Sequence, residues 1–74
     1  MKNQEDGGII ANNLRRVMRM RRTNVPLVAE QAGLHENTIY NWLNHGIQPT
    51  AVKLMAVARV LKCPMDEFFK EDQA

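Results

Sequence analysis

A single cysteine, Cys63, leaves the chain without an internal disulfide; a buried thiol is the expected state, with pairing between chains as the alternative. The other soft metal ligands, His35 and His45, stand ten residues apart with no CxxC or HxxxH spacing around them, so neither a metal site nor a cofactor is expected. No nucleophile sits beside a plausible base, no glycine-rich phosphate loop occurs, and the carboxylates crowd the two ends of the sequence. An enzyme reading therefore has little to stand on, and no small-molecule ligand is expected. No apolar run approaches the ~20 residues that cross a bilayer. The start "MKNQEDGG" is polar and acidic, unlike a secretion signal, so the expectation is a cytoplasmic protein with no membrane contact. No segment alternates with period two and no repeat appears, which sets aside sheets and solenoids.

What remains is a chain of 74 residues, 45% apolar and 24% charged, too small for more than one domain and neither disordered nor membrane-like in composition. Its formal net charge of +2 is unevenly placed. Between Gly7 and Ala29 lie Arg15, Arg16, Arg19, Arg21 and Arg22 and no acid, a locally positive surface.

Residues 1–8, ending in Gly7-Gly8, read as a flexible arm, residues 9–71 as the domain and residues 72–74 as a tail. From Ile9 to Arg22 the apolar positions Ile10, Leu14, Val17 and Met18 recur at helical steps. Thr23 and Asn24 interrupt this face, Asn24 suits the cap of a helix from about Val25 to Ala32, and Pro26 falls near its tolerated first-turn position. Gly33 stops that helix. A third helix runs from His35 to Asn44, with Ile39, Trp42 and Leu43 on its inner side; His35 is a poor cap. "HGIQPT" is a loop. Thr50 caps a fourth helix carrying Leu54, Val57, Ala58 and Leu61, and Pro64 opens a fifth, "PMDEFFKE", with Asp66 and Glu67 in its first turn. The fold class is all-α with five short helices.

The stretch "VAEQAGLHENTIYNW" breaks a helix with Gly33 after few residues, which is unfavourable unless the second helix must stand away from the body. Two helices joined by a short glycine-containing turn form the helix-turn-helix unit, over residues 25–44 here, whose second helix enters a DNA major groove about 12 Å wide. Amides and hydroxyls, rather than the Lys and Glu of a merely solvated helix, line the outward side of the third helix.

The chain resembles the phage repressor and Cro-type (XRE) helix-turn-helix family from about Leu14 to Phe69. The resemblance rests on "VAEQAGL" with Ala29 and Gly33, on "TIYNW", on Pro49-Thr50 opening the fourth helix, and on "LMAVARVLKCPMDEFF". It implies a compact five-helix, lambda-repressor-like bundle that binds double-stranded DNA and regulates transcription, as a repressor rather than an activator. Base-reading positions of the family fall on Glu36, Asn37 and Asn41; Asn suits adenine and Glu suits cytosine. Tyr40 joins them, against a thymine methyl or a phosphate. Asn44 falls on the family's phosphate-contacting position just past the recognition helix, and Asn24, Thr38, Arg15 and Lys53 complete the expected backbone contacts.

Departures from the family pattern are specific. The family's phosphate-clamping Gln at the start of the second helix is Val25 here, the third helix contains no Lys or Arg, and the loop after it is not basic. Phosphate neutralisation then falls to the arginines of the first helix, Lys2 and Lys53. The family's buried salt bridge between the first and third helices maps onto Met18 and Leu43, so both charges are replaced together by apolar groups, expected to be buried and in contact. A homodimer on a palindromic operator is expected, since one recognition helix reads only a few base pairs. Adjacent Phe68 and Phe69 point about 100° apart on a helix, so one should face the core and the other the surface. No ligand-sensing domain is expected. The alternative is a protein-interaction module on the same fold, antitoxin-like or contacting polymerase or a sigma factor, whose polar helix docks on protein.

Overall fold

The computed structural model describes residues 6–71. Four α-helices follow one another: α1 (Asp6–Met20), α2 (Val25–Ala32), α3 (Glu36–His45) and α4 (Ala51–Leu61). A 3₁₀ segment, Met65–Phe69, closes the described chain. The described residues hold no strand, and the all-α class expected from the periodicity stands. Among them no helix is long and apolar enough to cross a membrane.

Two expectations are corrected. The fifth helix is a single 3₁₀ stretch that ends at Phe69, with extended backbone already at Lys70. Only a few residues separate Pro64 from that end, too few for a stable α-helix, and the tighter geometry is used in such short pieces. At the other end α1 begins at Asp6, so Asp6, Gly7 and Gly8 belong to the helix and not to an arm. Residues 1–5, including Lys2, and the expected tail 72–74 lie outside the described residues.

The helix ends follow the local chemistry. Asn24 Oδ1 accepts from the Leu27 amide at 3.0 Å and Thr50 Oγ1 from the Lys53 amide at 3.3 Å, each satisfying a first-turn donor. His35 precedes α3 without any side-chain cap bond, as a poor cap should. The C-terminal ends of α1, α2 and α4 share one arrangement. A residue in the left-handed region bonds back three positions, and the next amide reaches five, as in Thr23 to Met18 (3.0 Å), Leu34 to Ala29 (2.9 Å) and Cys63 to Ala58 (3.1 Å). Gly33 fills that position in α2, but Arg22 and Lys62 fill it in α1 and α4, both with φ of 57°.

One core joins these elements. Leu14, Val17 and Met18 of α1, Val25, Val28 and Ala29 of α2, Ile39 and Trp42 of α3, Leu54, Val57 and Leu61 of α4, and Phe68 are buried together. Each buried Val, Leu, Ile, Met or Phe side chain contributes roughly 1.5–3 kcal/mol of transfer free energy. Helix α1 packs on α3 and on the 3₁₀ segment, while α2 packs on α3 and α4. Phe68 is fully buried and Phe69 is 51% exposed; in a 3₁₀ turn adjacent side chains stand about 120° apart, so one faces the core and the other the surface, as expected. Leu43 departs from expectation: Met18 is buried, but Leu43 is only partly covered at the edge of the core.

Polar ties fasten the 3₁₀ segment to α1. Asn13 is the one buried polar side chain among the described residues. Its Nδ2 donates to the carbonyls of Phe68 (3.0 Å) and Lys70 (2.7 Å), and its Oδ1 accepts from Arg16 at 2.9 Å. Arg16 also pairs with the Glu67 carboxylate at 3.1 Å, which Lys70 meets from the other side at 2.8 Å. The hydrogen bonds from Lys70 and then Arg16 hold the Glu67 carboxyl below the usual carboxylate range. Beside this cluster the Cys63 thiol is free and pushed up, by partial burial first and by the Glu67 charge second, so it stays protonated.

Candidate functional site

The unit built from α2, its turn and α3 packs on α1 through α3 and on α4 through α2. Gly33 makes the turn, with φ of 74°. A β-carbon there would meet nothing within 4 Å, so the glycine is required by backbone conformation and not by crowding. Ala29, one turn earlier, is 1% exposed, as a small residue at a close helix crossing should be.

Helix α3 is held by one face. Ile39 and Trp42 are fully or nearly buried, which fixes the helix roll and turns Glu36, Asn37, Tyr40 and Asn44 to solvent. Asn41 and Thr38 lie half-buried at the margins of that exposed face. Glu36, Asn37, Tyr40 and Asn41, one turn apart in two pairs, thus share the outward side of one short helix. Trp42 is a core residue, as its place on the inner side of the third helix predicts. Val25, standing where the resemblance places a clamping glutamine, is also buried and offers nothing to a ligand.

The expected backbone contacts are more scattered. Asn24 is exposed at the start of α2, but its side-chain oxygen is engaged by Leu27, leaving only its amide donors outward. Lys53 is exposed on the first turn of α4. Arg15 and Asn44, which nothing in the sequence linked, are joined. Arg15 Nη2 donates to the Leu43 carbonyl at 2.9 Å and to Asn44 Oδ1 at 3.1 Å, across the α1–α3 boundary.

The arginines between Arg15 and Arg22, a locally positive surface by sequence, mostly reach carbonyls at the ends of neighbouring helices while staying at the surface. Arg15 covers the C-terminal end of α3. Arg21 donates to the Leu61 (2.7 Å) and Lys62 (3.1 Å) carbonyls at the end of α4, and Arg16 to the Glu67 carbonyl at 3.3 Å. Carbonyls at helix C-termini lack intrahelical partners and carry the negative end of the dipole, so guanidinium groups are favoured there. The Arg19 and Arg22 side chains are exposed and bond to no described residue. Sequence periodicity places an arginine on a helix face; it does not say which neighbouring helix ends at that face. No group of three or more His, Cys, Asp or Glu side chains that could hold a metal ion occurs among the described residues.

Comparison with protein families agrees with this geometry. Residues 13–72 match the model of the Cro/C1-type HTH DNA-binding domain, well over half of the chain. The chain belongs to that family. Comparison with curated proteins gave no match.

Proposed function

We propose that this member of the Cro/C1-type helix-turn-helix family, a DNA-binding domain whose partner is double-stranded DNA, is a sequence-specific repressor that places α3 in the major groove. The observation that carries this reading is the roll of α3. Burial of Ile39 and Trp42 leaves Glu36, Asn37 and Tyr40 exposed on one side, with half-buried Asn41 at its margin. Amide side chains gain little on an exposed helix and suit base edges. Asn24, Thr38, Asn44, Arg15 and Lys53 are the proposed phosphate contacts. Two copies on a palindromic operator in the cytoplasm, occluding a promoter, complete the reading. Selection of sites from random duplexes with purified protein tests it: a two-fold consensus is expected, and no enrichment over input would sink the proposal.

One observation supports a second reading. Helix α3 carries no Lys or Arg, and Arg15, Arg16 and Arg21 serve carbonyls of the domain itself. A protein-docking module would be built this way. Affinity for non-specific duplex that falls steeply with salt favours the DNA reading, and salt-independent, negligible affinity favours the other.

A further inference from the structure

Helix α3 contains no Lys or Arg, yet a cation stands at its C-terminal end. It arrives from α1. Arg15 reaches across to the Leu43 carbonyl and the Asn44 side chain with two hydrogen bonds from one nitrogen. The chemistry of that contact determines which way the Asn44 amide faces. A guanidinium has only donors, so it selects the oxygen of the amide. Nδ2 with its two N–H groups must then point away from Arg15, on an exposed residue, and it has no partner among the described residues. Nε and Nη1 of Arg15 likewise bond to no described residue, so their donors stay available beside the amide.

We propose that Arg15 and Asn44 form a single phosphate clamp at the end of α3, with Arg15 acting both as the charge and as the positioning residue that holds the Asn44 donors outward. The proposal rests on the DNA-binding reading above and deepens it. The clamp's ligand is an anionic oxygen of the DNA backbone, which accepts from Asn44 Nδ2 while the guanidinium lies alongside. The arrangement follows from the apolar pair Met18 and Leu43. With no charge at either position, the polar tie between α1 and α3 is made one turn earlier on α1, to the backbone of Leu43 instead of its side chain. A free asparagine side chain samples both amide orientations and loses that freedom on binding; one already held by Arg15 has less to lose.

Two readouts test it on the full chain. In the free protein the Asn44 side-chain N–H₂ resonances should be dispersed away from those of exposed asparagines. In Arg15→Met, which keeps the aliphatic stem and removes the donors, they should move to the exposed-asparagine position. Unmoved resonances would overturn the positioning role. For non-specific duplex, Asn44→Ala should weaken binding about tenfold, as for loss of a hydrogen bond to a charged group. Arg15→Met should weaken it at least as much, and the double variant should be no weaker than Arg15→Met alone. Losses that multiply would show two independent contacts and end the clamp. Titration with duplex separates the two failures. If Asn37 and Asn41 resonances shift but Asn44 does not, the clamp is wrong and the DNA reading stands. If none of the three shifts, the DNA reading fails and takes the clamp with it.

Discussion

At the scale of single residues, conformation and exposure give separable consequences. Asn41→Ala removes an amide whose side chain makes no hydrogen bond to a described residue, so specific binding should weaken by about 1–3 kcal/mol with relaxed preference at one base pair. Non-specific affinity should hardly change. Parallel loss of both would make Asn41 a backbone contact or a residue of the fold. Arg22 and Lys62 test a different property. Both end helices at φ of 57°, where an L-residue costs about 1–2 kcal/mol and glycine none. Glycine loses more chain entropy on folding, about 0.5–1 kcal/mol, so Arg22→Gly and Lys62→Gly should each stabilise the domain by a few tenths to 1 kcal/mol. Urea unfolding of the two variants checks this, and a destabilised Lys62→Gly would show that the side chain contributes something its exposure hides.

At the scale of elements, α1 acts as the member that closes the ends of the others. Its apolar face fills the core, and Arg15, Arg16 and Arg21 reach the C-terminal carbonyls of α3, the 3₁₀ segment and α4. The α1–α3 joint is therefore asymmetric. Met18 is 7% exposed, so Met18→Arg should destabilise by roughly 3–5 kcal/mol, the range for an uncompensated buried charge. Leu43 is only partly covered and its carbonyl already meets the Arg15 guanidinium, so Leu43→Glu should cost much less. Thermal unfolding of the two variants compares them; equal losses would place Leu43 deeper than its packing indicates. The tie between α1 and the 3₁₀ segment predicts an acid limb. Because Glu67 is held below the usual carboxylate range when folded, its contribution is present at neutral pH and is lost as pH falls through that lowered value. Glu67→Gln should flatten the stability profile below the usual carboxylate range and leave its shape near neutrality unchanged.

At the scale of the whole molecule, the open question is how so small a domain gathers enough contact with DNA. Apolar surface remains uncovered on α4 and on the 3₁₀ segment. Val52 is 77% and Met55 44% exposed on one face of α4, and Phe69 is 51% exposed beyond it. A groove of about 330 Å³ lined by Met55, Ala58, Cys63 and Met65 runs between α4 and the 3₁₀ segment. A two-fold contact uses the same patch on both chains, and such a patch pairs naturally with two half-sites about one helical turn apart. Phe69→Ser should therefore abolish two-to-one binding to a palindromic duplex while leaving the folded domain stable, because Phe68 and not Phe69 fills the core. Sedimentation with and without duplex gives the stoichiometry. Wild-type protein binding strictly one copy per site would end the dimer proposal.

Periodicity, caps and breakers determined α2 and α3 to within a residue and the start of α4 at Thr50, because Asn24, Gly33 and Thr50 act locally and need no tertiary partner. The order of those signals also identified the helix-turn-helix unit and the outward side of α3, since Ile39 and Trp42 share a helical face whatever they pack against. Tertiary structure decided the rest. Whether Phe68 or Phe69 turns inward depends on where α1 and α4 leave a gap. The left-handed ends at Arg22 and Lys62 are imposed by packing on residues with no preference for them. The fate of the arginines was not legible at all, because a guanidinium finds a carbonyl only after another helix has been placed to end beside it. Arg15 and Asn44, 29 residues apart, meet for that reason alone.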